Sequence, residues 1–190
     1  MTRFPYIGQT AAAWRESVRF WNTTAAEETA DYPAHRHARP PWQPIVRAVD
    51  VEAPPPVVFR WLCQLKVAPY SYDWIDNRGR RSPRTLTPGA EDLAIGQHMI
   101  IARIVEFEPD HHITAVSLPG PTALFGFLAL TYQVEAARCG SRLICCLDVT
   151  AESRAGRIRL DLLAAGDWVM MRKQLLTLKE LAEGRQPAGP

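Results

Sequence analysis

The densest group of chemistry-bearing residues lies between positions 70 and 84. Tyr70, Tyr72, Asp73, Trp74, Asp76, Asn77, Arg78, Arg80, Arg81 and Arg84 crowd into one segment that is poor in aliphatic residues. Aromatic rings beside carboxylates and guanidinium groups can hold a flat ligand by stacking and hydrogen bonding. The same composition suits a structured loop pinned by ion pairs from Asp73 or Asp76 to Arg80, Arg81 or Arg84. Extended backbone would present Tyr70, Tyr72 and Trp74 together, whereas a helical turn would bring only Tyr70 and Trp74 to one face.

A second set is scattered. The histidines are His35, His37, His98, His111 and His112. An imidazole with an ordinary pKa near ~6.5 suits a general base. His98 opens a strand-like stretch and is the preferred candidate. His111-His112 follows Pro109-Asp110 and is expected at a surface turn. His35-x-His37 is the one pair at ligand spacing, in a proline-rich segment, and no metal is expected. Asp167 and Trp168 follow Gly166 in a stretch of helical spacing. Asp167 is the candidate catalytic carboxylate, and the competing reading is a surface pair with Arg or Lys. Gly166 inside a helix costs about 1 kcal/mol relative to Ala. It marks either close approach of another element or a tolerated kink. Tyr132 and Arg103 lie on strands. Arg103 interrupts an apolar face and so needs a partner or water. No nucleophile elbow, dinucleotide fingerprint or phosphate loop occurs. Hydrolase, kinase and nicotinamide-enzyme readings lose most of their support, and no cofactor is expected.

These residues must be positioned by the surrounding elements. Trp14, Val18 and Trp21 share a helical face, so a helix is expected over Thr10–Trp21. Thr24 and Glu27 have capping-box spacing and should start a second short helix. Tyr32 to Pro44 holds four prolines and no periodicity, as in a loop or extended arm. Ile45–Glu52 reads as a strand. Pro54-Pro55-Pro56 opens a helix whose buried stripe is Val58, Phe59, Leu62 and Leu65. From His98 to Thr150, strand-like segments follow one another with short turns, which predicts antiparallel hairpins. Several are apolar on both faces, so the sheet must be covered on one side and enclose something on the other. A long helix is expected from about Arg157 to Glu183, closed by Gly184 and Pro187.

The chain of 190 residues is 47% hydrophobic and suits one domain with a sizeable core. Its longest apolar run, Leu124–Leu130, is broken by Gly126 and too short to span a membrane. Basic residues number 22 and acidic residues 20, for a net charge of +2. That balance argues for neither nucleic acid nor an anionic membrane as a partner. The 4 cysteines contain no C-x-x-C pair. Adjacent Cys145 and Cys146 would point to opposite faces of a strand and act as small buried thiols. No secretory segment is evident at the N-terminus, so a reduced, cytoplasmic protein is expected.

The segments VDVEAPPPVVFRWLCQL and GQHMIIARIVEFEPDHHI, followed by the final helix, resemble the START-like (SRPBCC) superfamily. The resemblance covers residues 43–184. Residues 1–42 form an extension, and 185–190 a tail. The resemblance implies an α+β helix-grip fold, a curved antiparallel sheet wrapped around the C-terminal helix. A closed lipocalin-type barrel ranks lower, since it lacks a helix between its first two strands. The superfamily fold encloses an elongated apolar cavity that binds lipids, sterols or aromatic polyketides, or does chemistry on them. Fold alone does not choose among these roles.

The expected ligand-binding residues are then Tyr70, Tyr72, Asp73, Trp74, Arg81, Met99, Ile101, Arg103, Phe125, Phe127, Trp168 and Met171. Asp167, His98 and Tyr132 are the candidate catalytic groups. Binding of a hydrophobic small molecule is the first reading, and a cofactor-independent polyketide cyclase or aromatase the second. A partner-binding module using the Arg-rich loop is the third. The N-terminal helix suits a lid, a homodimer contact or an extra layer on the core.

Overall fold

The computed structural model describes residues 11–150 and 154–184. Its framework begins with strand β2 (Trp42–Val51), preceded by helix α1 (Ala11–Arg19), the two-residue strand β1 (Phe20–Trp21) and short helices α2 (Ala25–Glu28) and α3 (Pro33–His37). The expected Thr10–Trp21 helix thus ends early, because Phe20 and Trp21 pair in parallel with Val46 and Arg47. The capping box forms as its spacing predicts: Glu27 N–H donates to Thr24 Oγ1, and Thr24 N–H to Glu27 Oε2. The proline-rich arm is more ordered than expected, with Pro33 at the start of α3. A proline costs nothing there, since the first helical N–H has no intrahelical partner.

Pro54 caps helix α4 (Pro55–Cys63), with prolines filling its first turn. A single 3₁₀ turn, Gln64–Lys66, continues it and buries Leu65. Helix α5 is one turn, Asp73–Asp76. The strands β3 (His98–Met99), β4 (Ala102–Glu108), β5 (His112–Ser117), β6 (Leu128–Ala137) and β7 (Gly140–Thr150) follow. Helix α6 (Pro119–Phe125) separates β5 from β6, and helix α7 (Arg154–Ala182) ends the fold.

Two stretches between His98 and Thr150 depart from the expected run of strands. The stretch from Met99 to Phe107 is not one strand: the chain turns at Ile100, whose φ is +57°. Thr122–Phe125 is helical, because Pro119 starts a turn that ends at Gly126, φ +89°.

The sheet order is β1-β2-β7-β6-β5-β4-β3, antiparallel throughout except β1–β2. Its inner face carries Ile45, Val49, Ile113, Leu130, Leu143 and Leu147, packed against α4 and α7. Its outer face carries Val46, Ala48, Ile144 and Cys146, covered by Tyr32 and Phe20. Cys145 and Cys146 do point to opposite faces. The α7 helix spans 29 residues, about 43 Å at ~1.5 Å per residue. It runs across the inner face, burying Leu160, Ala164, Leu175, Leu178 and Leu181. The sheet is open, with β1 and β3 at its edges.

The described part of the extension forms a layer on this core. Arg15 and Arg19 reach Asp161 on α7 at 2.7 and 3.4 Å. On the other side, α3 lies over β5, β6 and β7. Among the described residues, no helix is long and apolar enough to cross a membrane.

Candidate functional site

Between the inner face and α7 lies a cavity of about 570 Å³. Its sheet wall is Leu128, Leu130, Tyr132, Cys145 and Leu147. Its helix wall is Leu162, Leu163, Gly166, Asp167, Met170, Met171 and Gln174. Spacings of four, three and one place Gly166, Met170 and Asp167, Met171, Gln174 on one side of α7. Leu124 and Phe125 of α6 and Ile100 and Ile101 of the β3–β4 turn complete the wall, with Pro69, Ser71 and Asp76. Around it Leu124 is 65% exposed and Leu162 70% exposed, so apolar side chains flank the opening.

Polar groups gather on one part of this apolar wall. Pairing across β2, β7 and β6 aligns Arg47, Cys145 and Tyr132 in one row. Arg47 is 1% exposed. Its Nε donates to Asp167 Oδ2 at 3.1 Å, and Nη2 forms an ion pair with the same oxygen at 2.9 Å. Nη2 also donates to the Ala164 carbonyl at 3.1 Å and Nη1 to that of Arg19 at 3.2 Å. Burial pushes the Asp167 carboxyl above the usual range, against the opposing pull of Arg47. The Tyr132 hydroxyl donates to Gln174 Oε1 at 2.6 Å, and Gln174 Nε2 donates to the Pro69 carbonyl at 2.6 Å. Burial raises the Tyr132 phenol well above its ordinary value, with Cys145 and Asp167 adding to the effect. Burial likewise holds Cys145 as a thiol. The wall therefore offers a neutral phenol and thiol, an amide, and one carboxylate braced by a buried cation.

The structure brings together Asp167, Tyr132, Ile101, Phe125 and Met171 from the expected site. It does not bring the others to the cavity. His98 is exposed on the edge strand β3. Met99 is buried in the core instead, since the turn at Ile100 sends it inward. Arg103 alternates with buried Ala102 and Ile104, so it points outward to solvent and interrupts no inner face. Phe127 lies beneath the Arg39 guanidinium at 4.1 Å. Trp168 is half-buried against the core.

The aromatic loop is arranged differently from the expectation. Trp74 is 76% exposed, Tyr72 is half-buried and Arg81 is exposed. Tyr70 is buried edge-on to Trp61 at 6.2 Å, its phenol pushed up to about 12 by burial and by Asp73. Tyr70 and Asp73 line a small separate pocket with Arg84 and Lys173. The pinning contacts come from serines rather than arginines. Asp73 accepts from Ser82 N–H and Oγ at 2.8 and 2.5 Å, and Asp76 accepts from Ser71 Oγ. Only Ser71 and Asp76 carry this loop to the main cavity.

Arg47 and Gln174 were missed. The signal for Arg47 was present, because Ile45, Arg47, Val49 and Val51 share one strand face. The competing reading of Asp167 was a surface pair with Arg or Lys; its partner is instead the buried Arg47 of β2, while Arg172 lies over Trp21 at 5.6 Å. Gly166 does not mark close approach: a Cβ there would meet nothing within 4 Å.

No protein-family model matches the sequence, and no curated protein matches it. Solved structures do match in shape. The protein MLL2253 from Mesorhizobium loti superposes with a TM-score of 0.50 at 15% identity, over 76% of this chain and 99% of that one. A protein from Rhodobacter sphaeroides gives 0.50 at 14% identity, over 75% and 94%. The polyketide_cyc-like protein Cgl2372 from Corynebacterium glutamicum gives 0.45 at 12% identity, over 76% and 94%. The chain has an α+β helix-grip fold. In this helix-grip chain the gripped helix, α7, supplies one wall of the cavity and the sheet the other.

Proposed function

We propose that this helix-grip protein binds a hydrophobic small molecule, of lipid, sterol-like or aromatic polyketide class, with residues 43–184 as the binding unit. The observation that carries the reading is the 570 Å³ chamber with its leucine, isoleucine and methionine wall. Ligand sites usually span ~300–1,000 Å³ and combine an apolar wall with a few orienting polar groups. Here Asp167, Gln174 and Tyr132 are those groups. Entry runs past Ile101, Leu124 and Leu162.

The cyclase-like reading draws on one observation, a carboxyl raised by burial on the wall of an apolar chamber. It is the weaker reading. Asp167 Oδ2 is already held by Arg47, and the Tyr132 proton is committed to Gln174. His98, the third candidate, is at the surface.

Native mass spectrometry of freshly purified protein tests for a co-purifying molecule. Anilinonaphthalene sulfonate fluorescence tests the chamber itself. Gly166 lines the cavity and a Cβ there meets nothing within 4 Å, so Gly166→Phe should place its ring in the chamber and obstruct it. The expected result is loss of dye binding at unchanged melting temperature. Dye binding that survives Gly166→Phe at full affinity would overturn the proposal.

A further inference from the structure

We propose that the turn between β4 and β5 is a binding site for a divalent transition-metal ion of the zinc class, held by Glu108, His111 and His112. The sequence Glu108-Pro109-Asp110-His111-His112 folds back tightly. His111 N–H donates to the Glu108 carbonyl at 3.1 Å, Asp110 takes a φ of +62°, and Glu108 pairs across the ladder with His112. Proline second and a left-handed residue third is the pattern of a type II turn. It directs three side chains of one short segment to a common point.

The spacing of the three donor atoms is that of ligands around an ion. His111 Nδ1 lies 3.2 Å from His112 Nδ1 and 3.2 Å from Glu108 Oε2, and His112 Nδ1 lies 3.8 Å from Glu108 Oε2. Ligands ~2.0–2.2 Å from a tetrahedral zinc ion stand about 3.3–3.6 Å from one another. A triangle with the observed sides has a point about 2.0 Å from all three corners, within reach of a zinc-to-nitrogen or zinc-to-oxygen bond. Without a cation, three lone-pair atoms face the same small volume with only imidazole protons to separate them.

The surroundings support the same reading. The His112 side chain is 8% exposed, while His111 at 47% and Glu108 at 64% leave the far side open to solvent. The other nitrogen of His112, Nε2, is buried without a hydrogen-bond partner and stands 3.4 Å from Glu106 Oε1. A carboxylate behind a ligating imidazole is the usual arrangement at metal sites. Glu106 is itself gripped by Arg36 at 2.5 Å and His37 at 2.9 Å, both on α3. A bound ion would therefore tie the hairpin to the helix of the extension. Two nitrogens and one oxygen select zinc, cobalt, nickel or copper over the oxygen-seeking magnesium and calcium. The other close trio, His35, Cys146 and Asp148, has its nitrogen and oxygen at 2.7 Å, the length of a charge-assisted hydrogen bond. The site lies at the far end of β4 from Ile101, roughly 20 Å along the strand from the cavity opening.

The test is a zinc titration of the full, tag-free chain against a chromophoric chelator. Three variants accompany it: Glu108→Gln and His111→Ala, both exposed, and His35→Gln. Wild type should take up one zinc ion per chain and melt at a higher temperature with it. Glu108→Gln and His111→Ala should keep the zinc-free melting temperature and lose affinity by at least about tenfold. His35→Gln should bind zinc as wild type does. Absence of saturable binding in the wild type, or unchanged affinity in both turn variants, overturns the proposal. So does loss of binding confined to His35→Gln, which would move the ion to the other trio.

Discussion

Replacing Arg47 by Leu should be among the most damaging single changes in the inner face, and the damage should be reversible by a second change. Arg47 is 1% exposed, and its guanidinium serves Asp167 and the carbonyls of Ala164 and Arg19. Arg47→Leu leaves the Asp167 carboxylate in an apolar chamber and both carbonyls without their donor. Breaking a buried pair from one side costs about 3–5 kcal/mol. At ~2–4 °C per kcal/mol for a chain of this size, that is a drop of roughly 6–20 °C in melting temperature. Replacing both partners by apolar residues is commonly neutral or stabilising. Arg47→Leu/Asp167→Leu should therefore recover most of the loss.

The pH dependence follows from the Asp167 carboxyl, which burial raises and Arg47 lowers. Without Arg47 it must rise further. A folded-state value above the unfolded one means that the native protein holds the extra proton. Its stability is then fully present below the unfolded value near ~3.9 and is lost as pH climbs through the folded value. The deficit of Arg47→Leu should be smallest near pH ~4, where only the lost carbonyl contacts remain, and should grow toward neutrality. Urea unfolding of wild type, both singles and the double at several pH values measures this. Additive singles, or a deficit independent of pH, would refute the reasoning.

Three further changes have defined outcomes. A Cβ at Gly140, φ +123°, would stand 2.2 Å from the Val51 carbonyl oxygen. Gly140→Ala should thus cost more than the ~1–3 kcal/mol usual for overpacking, and a smaller loss by denaturant titration would contradict the turn geometry. Gly166→Ala meets open space in a helix and should stabilise by about 1 kcal/mol, read as a rise of ~2–4 °C on thermal melting. A fall would show that the glycine backbone is needed. Tyr132→Phe strips Gln174 Oε1 of its donor in a buried setting and should cost about 1–3 kcal/mol in urea unfolding. An unchanged midpoint would mean that the hydrogen bond does not hold the cavity wall.

The order of elements was readable because it rests on local signals. The prolines before α4, the Thr24–Glu27 box and the spacing along α7 each act within a few residues. The cavity wall was half readable. Phe125 and Met171 are apolar residues at expected places, but Met99 and Phe127 are equally apolar and lie elsewhere. Apolar character marks burial without saying whether the burial faces a void or a packed neighbour. That choice was made by the turn at Ile100 and by α6, which redirect the chain between strands. The aromatic loop misled for a related reason. Its density of rings and charges is equally suited to ordering a loop, and the ordering contacts run through Ser71 and Ser82, residues with little prior weight.

One buried guanidinium joins parts of the chain that the sequence presents as separate. Arg47 stands on β2, pairs with α7 at the polar part of the cavity, and donates to the carbonyl that ends α1. The parallel pairing of Phe20–Trp21 with Val46–Arg47 holds that carbonyl in place. The position of Asp167 in the chamber therefore depends on α1 and β1 as well as on the sheet and helix that enclose it. Trp21 adds to this dependence, since Arg172, one turn beyond Asp167, lies over its ring. Loosening the extension should accordingly be felt in the cavity before it is felt in the sheet. The β2, β7 and β6 ladder is continuous without α1, whereas the carboxylate loses its anchor when the cation beside it loses a fixed acceptor.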